Sequence, residues 1–300
     1  MTDDRRDRFE RSVCELRPKL HRYCARMTGS AVDGEDIVQD TLIKALAALP
    51  SVGVVDNLEG WLFRIAHNTA LDFLRRRERG PVMQHDEELD MIAAPLSTDR
   101  DHEAATLGLR TFMRLPALQR SAVILKDVLG HSLEEVASIT GASEAAAKSA
   151  LQRGRVRLRE FAKEPAGVSL PMLSDGMRAR LTTYVQGFKI GDFDTVRAML
   201  ADDVKLDLVA KLRKQGKSEV GEYYAAYAAA KQWAYAAGVV DGRAAMLVYD
   251  REISLETPAY FVALDFDGDR VVSIHDFLYA RYAMDSDDLS PLNPKALSHF

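Results

Sequence analysis

A tryptophan and a run of arginines lie at opposite ends of one predicted helix. The helix begins near Leu58 and has Trp61 in its first turn. Its other end carries four cations: Arg75, Arg76, Arg77 and Arg79. Aromatic rings stack on nucleic-acid bases, and arginines bind phosphates. The preceding predicted helix, from Asp33, has an acidic first turn and suits a protein partner. Residues 33–79 therefore predict a helix pair with one protein-binding part and one nucleic-acid-binding part.

Residues 131–160 have the pattern of a helix-turn-helix. Ser132 and Glu135 have the spacing of a capping box, which begins a helix. Ser143 caps a second helix after the turn, and the small residues Ala137 and Gly141 are expected to let the two helices cross closely. The second helix places polar and basic residues outward: Glu144, Lys148, Ser149, Gln152, Arg153 and Arg155. This pattern favours a major-groove recognition helix, with a purely structural basic hairpin as the alternative.

Helical periodicity surrounds both stretches. Residues 9–28 predict a helix that ends near Gly29, and a second helix follows from Asp33. The expected inner face of that second helix consists of Ile37, Leu42, Ala45, Leu46 and Leu49. The helical pattern resumes near Leu107 and continues to Phe161, so the first half of the chain is predicted to be all-α.

Composition fits a globular chain of two or three units, with 300 residues and 47% apolar residues. The net charge of −5 argues against a general nucleic-acid coat protein, but the charge is segregated. Residues 148–163 carry six basic residues against one acid, and residues 86–103 carry seven acids against one arginine. Such segregation predicts local contacts with polyanions.

Two cysteines, Cys14 and Cys24, lie ten residues apart in one predicted helix, which is too far to bridge, so both are expected to be free thiols. No stretch has the apolar length of a signal peptide or a membrane span. We therefore expect a cytoplasmic protein without a membrane contact.

The last third of the chain predicts an α+β domain. Helical patterns end at Gly191 and near Leu200, and strand patterns follow over residues 204–209, 244–249, 259–266 and 271–279. Asp267-Gly268 between the last two is a hairpin signal. Helices followed by a mostly antiparallel sheet are typical of α+β architecture.

With these motifs in place, the first half resembles the extracytoplasmic-function (ECF) sigma factors of bacterial RNA polymerase. The stretches DGEDIVQDTLIKAL and WLFRIAHNTALDFLRRRER resemble sigma region 2, and residues 109–160 resemble region 4. The resemblance implies a multidomain protein of two all-α domains followed by an α+β domain. The predicted boundaries are 1–80 for region 2, 81–104 for an acidic linker, 105–163 for region 4, 164–174 for a linker, 175–284 for the α+β domain and 285–300 for a tail.

The resemblance also implies roles for single residues. Those at the polymerase contact would be Asp36, Ile37, Gln39, Asp40 and Thr41. Those that open the upstream-ten promoter element and hold an unstacked base would be Trp61, Arg64, Ile65 and Asn68, with Arg75, Arg76 and Arg77 on phosphates. Those at the distal element would be Lys148, Ser149, Gln152 and Arg153. Ala150 and Leu58-Glu59-Gly60 depart from the family, which often has a basic residue and a proline there. A core position is the alternative for Trp61, and a solvated helix end is the alternative for the arginines.

Residues 175–284 resemble the cone-shaped SnoaL-like α+β domain, also seen in polyketide cyclases and ketosteroid isomerase. Catalysis would need a base and an oxyanion donor at an apolar cavity, and Asp207, Asp265, His275, Asp276 and several tyrosines supply only the residue types. We therefore expect no enzyme activity, catalytic residue, metal or cofactor. The expected role is control in cis of the sigma regions, with a small molecule as a possible ligand of this domain.

The expected partners are core RNA polymerase and promoter DNA. The alternative function is a one-component helix-turn-helix regulator with a ligand-sensing domain. It explains residues 131–160 but not residues 33–79. A small-molecule isomerase or cyclase with an appended DNA-binding part is a third alternative.

Overall fold

The computed structural model describes residues 3–52, 55–78, 108–163, 173–285 and 289–293. The chain divides into two compact units, Met1–Gly167 and Val168–Phe300, here termed the helical unit and the C-terminal unit. The predicted linkers and the predicted tail lie wholly or largely outside the described residues, as does Arg79. In the part of the chain that is described, no helix is long and apolar enough to cross a membrane.

The helical unit is built from two groups of helices. Three long helices come first: α1 (Asp3–Thr28), α2 (Ala31–Ala48) and α3 (Leu58–Glu78). The second group consists of α4 (Leu109–Met113), α5 (Ala117–Val123), a π-helical turn (Ile124–Val128), α6 (Leu133–Thr140) and α7 (Glu144–Phe161). The all-α prediction for the first half of the chain is confirmed for these residues.

The crossing of α1 and α2 depends on a cap and a glycine. The Ser30 side chain accepts a hydrogen bond of 3.2 Å from the Asp33 amide and so begins α2. A Cβ atom at Gly34 would lie 2.6 Å from the Cα atom of Ala25. Only glycine therefore allows the two helices to approach this closely. The fully buried Glu35 carboxylate adds an ion pair with Arg17 on α1.

One apolar core serves both groups of helices. It contains Tyr23 and Phe63 from the first group together with Phe112, Ile124 and Leu151 from the second. Burial of such large side chains contributes about 1.5–3 kcal/mol each, so this shared core holds the two groups in direct contact. The predicted inner face of α2 is wrong at Leu46, which is 40% exposed, while Ile37, Leu42, Ala45 and Leu49 are buried.

The C-terminal unit combines three helices with one sheet. The helices are α8 (Asp175–Ile190), α9 (Phe193–Ala198) and α10 (Lys217–Ala229). The strands are β1 (Leu200–Leu208), β2 (Leu212–Gln215), β3 (Trp233–Val240), β4 (Arg243–Asp250), β5 (Tyr260–Asp267), β6 (Arg270–Asp276) and β7 (Leu289–Pro291). The order of the strands across the sheet is β2-β1-β6-β5-β4-β3-β7.

The sheet is antiparallel except where β1 runs parallel to β6. Asp267 pairs with Arg270 across a tight turn in which Gly268 has a φ of +54°, which confirms the predicted hairpin. Gly191 ends α8 in the left-handed conformation, also as predicted. The α+β architecture is thus confirmed. Sequence patterns did not single out α10, β2, β3 or β7.

Candidate nucleic-acid interface

One face of α3 carries the aromatic and amide side chains predicted to contact a base. Positions 61, 64, 65 and 68 follow helical spacing, so their side chains share a face. Arg64 and Asn68 are exposed, while Trp61 and Ile65 are half-buried against the helical core. The core interpretation of Trp61 is therefore only partly met, and its contact with a base stays a prediction. Part of its ring packs inside, and the rest lies beside exposed polar groups.

Asn57 positions the start of α3. Its side-chain oxygen accepts a hydrogen bond of 2.8 Å from the Gly60 amide. This contact satisfies a backbone N–H that has no partner within the helix. The segment Leu58-Glu59-Gly60, which departs from the family pattern, thus has an asparagine cap at the start of its helix.

The arginines at the end of α3 are exposed, but each contacts a neighbouring oxygen. An Arg75 nitrogen lies 3.5 Å from an Asp72 carboxylate oxygen, and Arg76 donates to the Asp72 carbonyl at 3.2 Å. Arg77 reaches the first turn of α2, with 3.7 Å between its guanidinium and Asp33. Exposed ion pairs contribute only about 0–1 kcal/mol. Exchanging the exposed contacts of Arg75 and Arg76 for phosphate contacts therefore has a small energetic cost, whereas Arg77 is paired with the buried Asp33 carboxylate.

The residues predicted to contact polymerase do not all lie on one surface of α2. Asp40 is exposed, and Asp36 and Gln39 are half-buried. Ile37 and Thr41 are 2% and 0% exposed, so they face the core. The same helix instead exposes Ile43 and Leu46, which are 55% and 40% exposed. Gln39, Ile43 and Leu46 are spaced at i, i+4 and i+7 and lie on one outward face. A helical wheel centred on Gln39 would have found Ile43.

The helix-turn-helix begins and turns at the predicted residues. The Glu135 amide donates to the Ser132 hydroxyl at 3.1 Å, and the Ser132 amide donates to the Glu135 carboxylate at 2.7 Å. These two bonds complete the capping box, and they lower the pKa of Glu135. Gly141 ends α6 with a φ of +71°, and Ser143 caps α7 by accepting from the Ala146 amide.

The close approach between helices lies at a different glycine from the one predicted. A Cβ atom at Gly141 would meet nothing within 4 Å, so this glycine serves the backbone conformation of the turn. At Gly154 on α7 a Cβ atom would lie 2.7 Å from a Val123 methyl and 3.1 Å from the Gln119 carbonyl. The tight crossing is therefore between α7 and α5.

The outward face of α7 carries most of the predicted groups. Lys148 and Arg153 are exposed, and Ser149 and Gln152 are half-buried. Ala150 is fully buried, and a basic side chain there would lie in the core. Arg155, predicted to face outward, forms two hydrogen bonds with the buried Asp127 carboxylate, one of them at 2.8 Å. That part of the prediction is wrong, because Arg155 serves the fold of the helix-turn-helix.

The C-terminal unit contains a group of four side chains, here called the tyrosine cluster: the half-buried Tyr223 and the buried Tyr227, Tyr260 and Asp276. Both Tyr223 and Tyr227 donate to one oxygen of Asp276, the second at 2.5 Å, and Tyr260 donates to the Tyr227 hydroxyl at 3.0 Å. The Leu278 amide donates to the other Asp276 oxygen at 2.8 Å.

Asp276 is completely buried, and burial raises its pKa to about 7. Burial therefore favours the protonated form of this carboxyl, while its three donors favour the carboxylate. Two other candidate groups lie on neighbouring strands. Arg213 donates from its Nε atom to an Asp207 carboxylate oxygen at 3.1 Å. The backbone of Asp207 lies opposite that of His275 where β1 pairs with β6.

Comparison with known proteins assigns both helical groups to described families. Residues 13–80 match "Sigma-70 region 2" and residues 109–158 match "Sigma-70, region 4". The ECF RNA polymerase sigma factor EcfG of Rhodopseudomonas palustris is 32% identical over 162 residues, which cover 53% of this chain and 84% of EcfG. The chain belongs to the ECF sigma factors.

One further relative matches more of the chain than the two sigma regions. The ECF sigma factor SigG of Mycobacterium tuberculosis is 32% identical over 219 residues, or 64% of this chain and 59% of SigG. This chain thus spans about three fifths of the length of SigG. The crystal structure of the Mycobacterium tuberculosis ECF sigma factor SigJ matches this chain with a TM-score of 0.35. The two sequences are 20% identical, and the match covers 91% of this chain and 98% of SigJ.

Family membership gives names to the two groups of helices. The matched ranges show that α1–α3 form region 2 and that α4–α7 form region 4. The half-buried Trp61 and the exposed Arg64 and Asn68 lie on region 2, and the exposed Lys148 and Arg153 lie on region 4. Sequence patterns missed two residues that join the regions, the buried His67 and Arg120. The available signal was that both residues are polar although they occupy positions where helical spacing predicts core residues.

Proposed function

We propose that this protein is an RNA polymerase sigma factor that directs promoter recognition, DNA opening and the start of transcription. What supports the proposal is the presence of both sigma regions, in order, each with a group of exposed polar side chains on one helix face. A one-component regulator would account for the helix-turn-helix alone. It would leave the face of α3 without a role.

In this proposal the exposed surfaces of α2 and α3 bind different partners. Core polymerase binds α2 through Asp36, Gln39 and Asp40, with Ile43 and Leu46 adding exposed apolar area. Trp61, Ile65 and Asn68 on α3 hold a base flipped out of the upstream-ten element, by stacking and hydrogen bonding. The arginines at the end of α3 contact phosphates independently of sequence.

The recognition helix α7 contacts the distal promoter element. Lys148 and Arg153 bind phosphates or guanine edges, and Ser149 and Gln152 supply neutral hydrogen bonds to bases. Arg155 has no part in this contact, because its guanidinium is held by Asp127.

The C-terminal unit controls the sigma regions in cis. Its attachment to the same chain gives it a high effective concentration near them without a separate partner. A small molecule that binds the unit would alter this control only if it bound the controlled and released forms with different affinities.

The deciding experiment is transcription with core RNA polymerase, the full chain and a library of promoter sequences. Specific initiation supports the proposal, and binding to DNA without any initiation refutes it. Trp61→Ala is expected to reduce promoter opening more than duplex binding, while Trp61→Phe retains stacking and most of the opening. Equal loss of opening and binding in Trp61→Ala would assign the ring to the core alone.

A second set of variants addresses α7 and the control in cis. Lys148→Ala combined with Arg153→Ala is expected to weaken binding to the distal element at moderate salt, whereas Arg159→Ala, an exposed cation on the same helix, has a smaller effect. Unchanged affinity in the double variant would refute the assignment. Removal of the residues after 165 is expected to change promoter-dependent transcription, and identical transcription by the two forms would refute control in cis.

A further inference from the structure

Two histidines lie buried where region 4 packs against region 2. His67 on α3 is 3% exposed, and His131, just before α6, is 6% exposed. The His131 ring meets the edge of Phe63 on α3, with 5.0 Å between the ring centroids. The His67 side chain faces Ser121 on α5. Each histidine therefore touches the opposite sigma region.

His67 joins three helices through one ring nitrogen. Its Nδ1 atom lies 2.8 Å from the Tyr23 hydroxyl on α1 and 3.4 Å from the Ser121 hydroxyl on α5. The Ser121 hydroxyl donates to the Ala117 carbonyl at 2.8 Å. In the tautomer that carries its proton on Nε2, the Nδ1 atom accepts from the Tyr23 hydroxyl, and only a neutral ring can do so. Protonation would remove that acceptor.

Among the described residues, the charged group that acts on the His67 ring is a cation, Arg75, and no anion balances a charged ring. Burial, with a smaller contribution from Arg75, lowers the pKa of His67 to about 4. Burial also raises the pKa of Tyr23 far above its ordinary value, so the phenol stays neutral. The nearby Arg120 guanidinium, which donates to the Met27 carbonyl at 2.6 Å, adds positive charge between the two regions.

The pKa of His131 is also lowered, but by less than that of His67. Burial lowers its pKa, and Lys19 acts in the same sense, while Glu135 and Glu59 oppose the shift. The Glu135 carboxylate lies 3.7 Å from its Nδ1 atom. Its buried Nε2 atom has no hydrogen-bond partner among the described residues. A charged His131 would therefore be only partly compensated in the packed arrangement.

We propose that the contact between region 2 and region 4 is an acid-labile closure, in which protonation of His67, assisted by His131, separates the two regions. The proposal goes beyond the proposed function, because it concerns the arrangement of the helical unit whether or not the chain supports initiation. The closure would control how far apart the DNA-binding faces of α3 and α7 can lie.

The direction of the pH effect follows from the two states of His67. In an opened unit the ring keeps Tyr23 but loses its cover from region 4, so its pKa moves back towards the ordinary value of about 6.5. In the closed unit the pKa is about 4. The closed form is therefore favoured in full above about pH 6.5, and this preference is lost as the pH falls towards 4. Full return to the ordinary pKa would raise the ratio of open to closed molecules by ~30-fold between pH 7.5 and pH 5, which is the upper limit of the effect.

The experiment measures opening through the reactivity of a buried thiol. Ser121→Cys places a thiol in the contact at a fully buried position, and Cys14→Ser removes the exposed native thiol. The full chain is labelled with 4,4′-dithiodipyridine at pH 7.5 and pH 5. Each rate is divided by that of the urea-unfolded chain at the same pH, which gives an opening constant. The buried Cys24, beside Glu35 of α2, reports opening within region 2 as an internal control.

We expect the opening constant at position 121 to rise several-fold on acidification, up to about 30-fold, and that at Cys24 to rise much less. His67→Gln is expected to reduce the rise to a few-fold, and His131→Gln to reduce it moderately. His21→Gln, another buried histidine whose ring contacts the Ala31 carbonyl within region 2, is expected to retain it. An equal rise in His67→Gln and the parent would overturn the proposal, as would no rise in the parent. Loss of helical circular dichroism at pH 5 would also overturn it, since opening would then be general unfolding.

Discussion

Replacing Asp276 by asparagine removes the titrating group from the tyrosine cluster and keeps its shape. The wild-type carboxyl is fully buried, and its pKa is raised from an ordinary value of about 3.9 to about 7. A raised carboxyl pKa means that the folded state prefers the protonated form. The stability due to Asp276 is therefore complete below about pH 4 and is lost as the pH rises towards 7.

The size of the loss follows from the shift in pKa. Each unit corresponds to about 1.4 kcal/mol, so a shift of about three units gives a total near 4 kcal/mol. Of this, about 2–3 kcal/mol falls between pH 5 and pH 9. The donors Tyr223, Tyr227 and Leu278 support the carboxylate, so these figures are upper bounds. We expect the wild-type free energy of unfolding to fall by about 2 kcal/mol relative to Asp276→Asn over this range.

Trp233 provides the assay. Its ring meets Tyr260 of the tyrosine cluster edge-on, with 5.3 Å between centroids, and in a Trp61→Phe background it is the remaining tryptophan of the chain. Urea unfolding of the full chain is followed by fluorescence from pH 5 to pH 9. Asp203→Asn, at an exposed position of β1, is the control, and its curve is expected to follow that of the parent. Parallel curves for Asp276→Asn and the parent would show that the Asp276 carboxyl has the same pKa in the folded and the unfolded chain.

Two further predictions concern α7. Gly154→Ala is expected to lower the free energy of unfolding of the helical unit by about 1–3 kcal/mol in urea, because the new methyl overlaps Val123. Gly176→Ala is the control, because its new methyl would have its nearest contact at 3.6 Å, and it is expected to stabilise α8. If Gly154→Ala and Gly176→Ala changed the free energy of unfolding equally, α7 and α5 would not cross tightly at Gly154. Arg155→Ala is expected to destabilise by about 3 kcal/mol, because it leaves the Asp127 carboxylate buried without its partner. The exposed Arg153→Ala is expected to change stability by under about 0.5 kcal/mol, and similar thermal melts for the two would refute the distinction.

Local signals predicted the starts and ends of elements well. The capping box of Ser132 and Glu135 and the glycine that ends α8 at Gly191 are interactions within one helical turn. The Asp267-Gly268 hairpin is equally local. Such features depend on backbone conformation and on neighbours a few residues away, so the sequence states them directly.

Patterns without a local signal were missed. The strand β3 contains mostly small and apolar residues, and β2 and β7 are short and partly exposed. These strands are stabilised by hydrogen bonds to partners elsewhere in the sheet, and their own residues show no alternation of apolar and polar side chains that would indicate a strand. The exposure of Leu46 was missed for a related reason, since helical spacing does not state how wide the buried face is.

The amino-acid sequence was enough to identify the two sigma regions, the helices that form them and most of the residue types on their outward faces. Which polar groups are buried depends on the tertiary structure. His67 meets Ser121 from 54 positions away along the chain, and Tyr227 meets Asp276 from 49 positions away. Arg155 meets Asp127 from 28 positions away. Burial and pairing arise from such distant contacts, and they set the charge states on which the proposed closure and the tyrosine cluster depend.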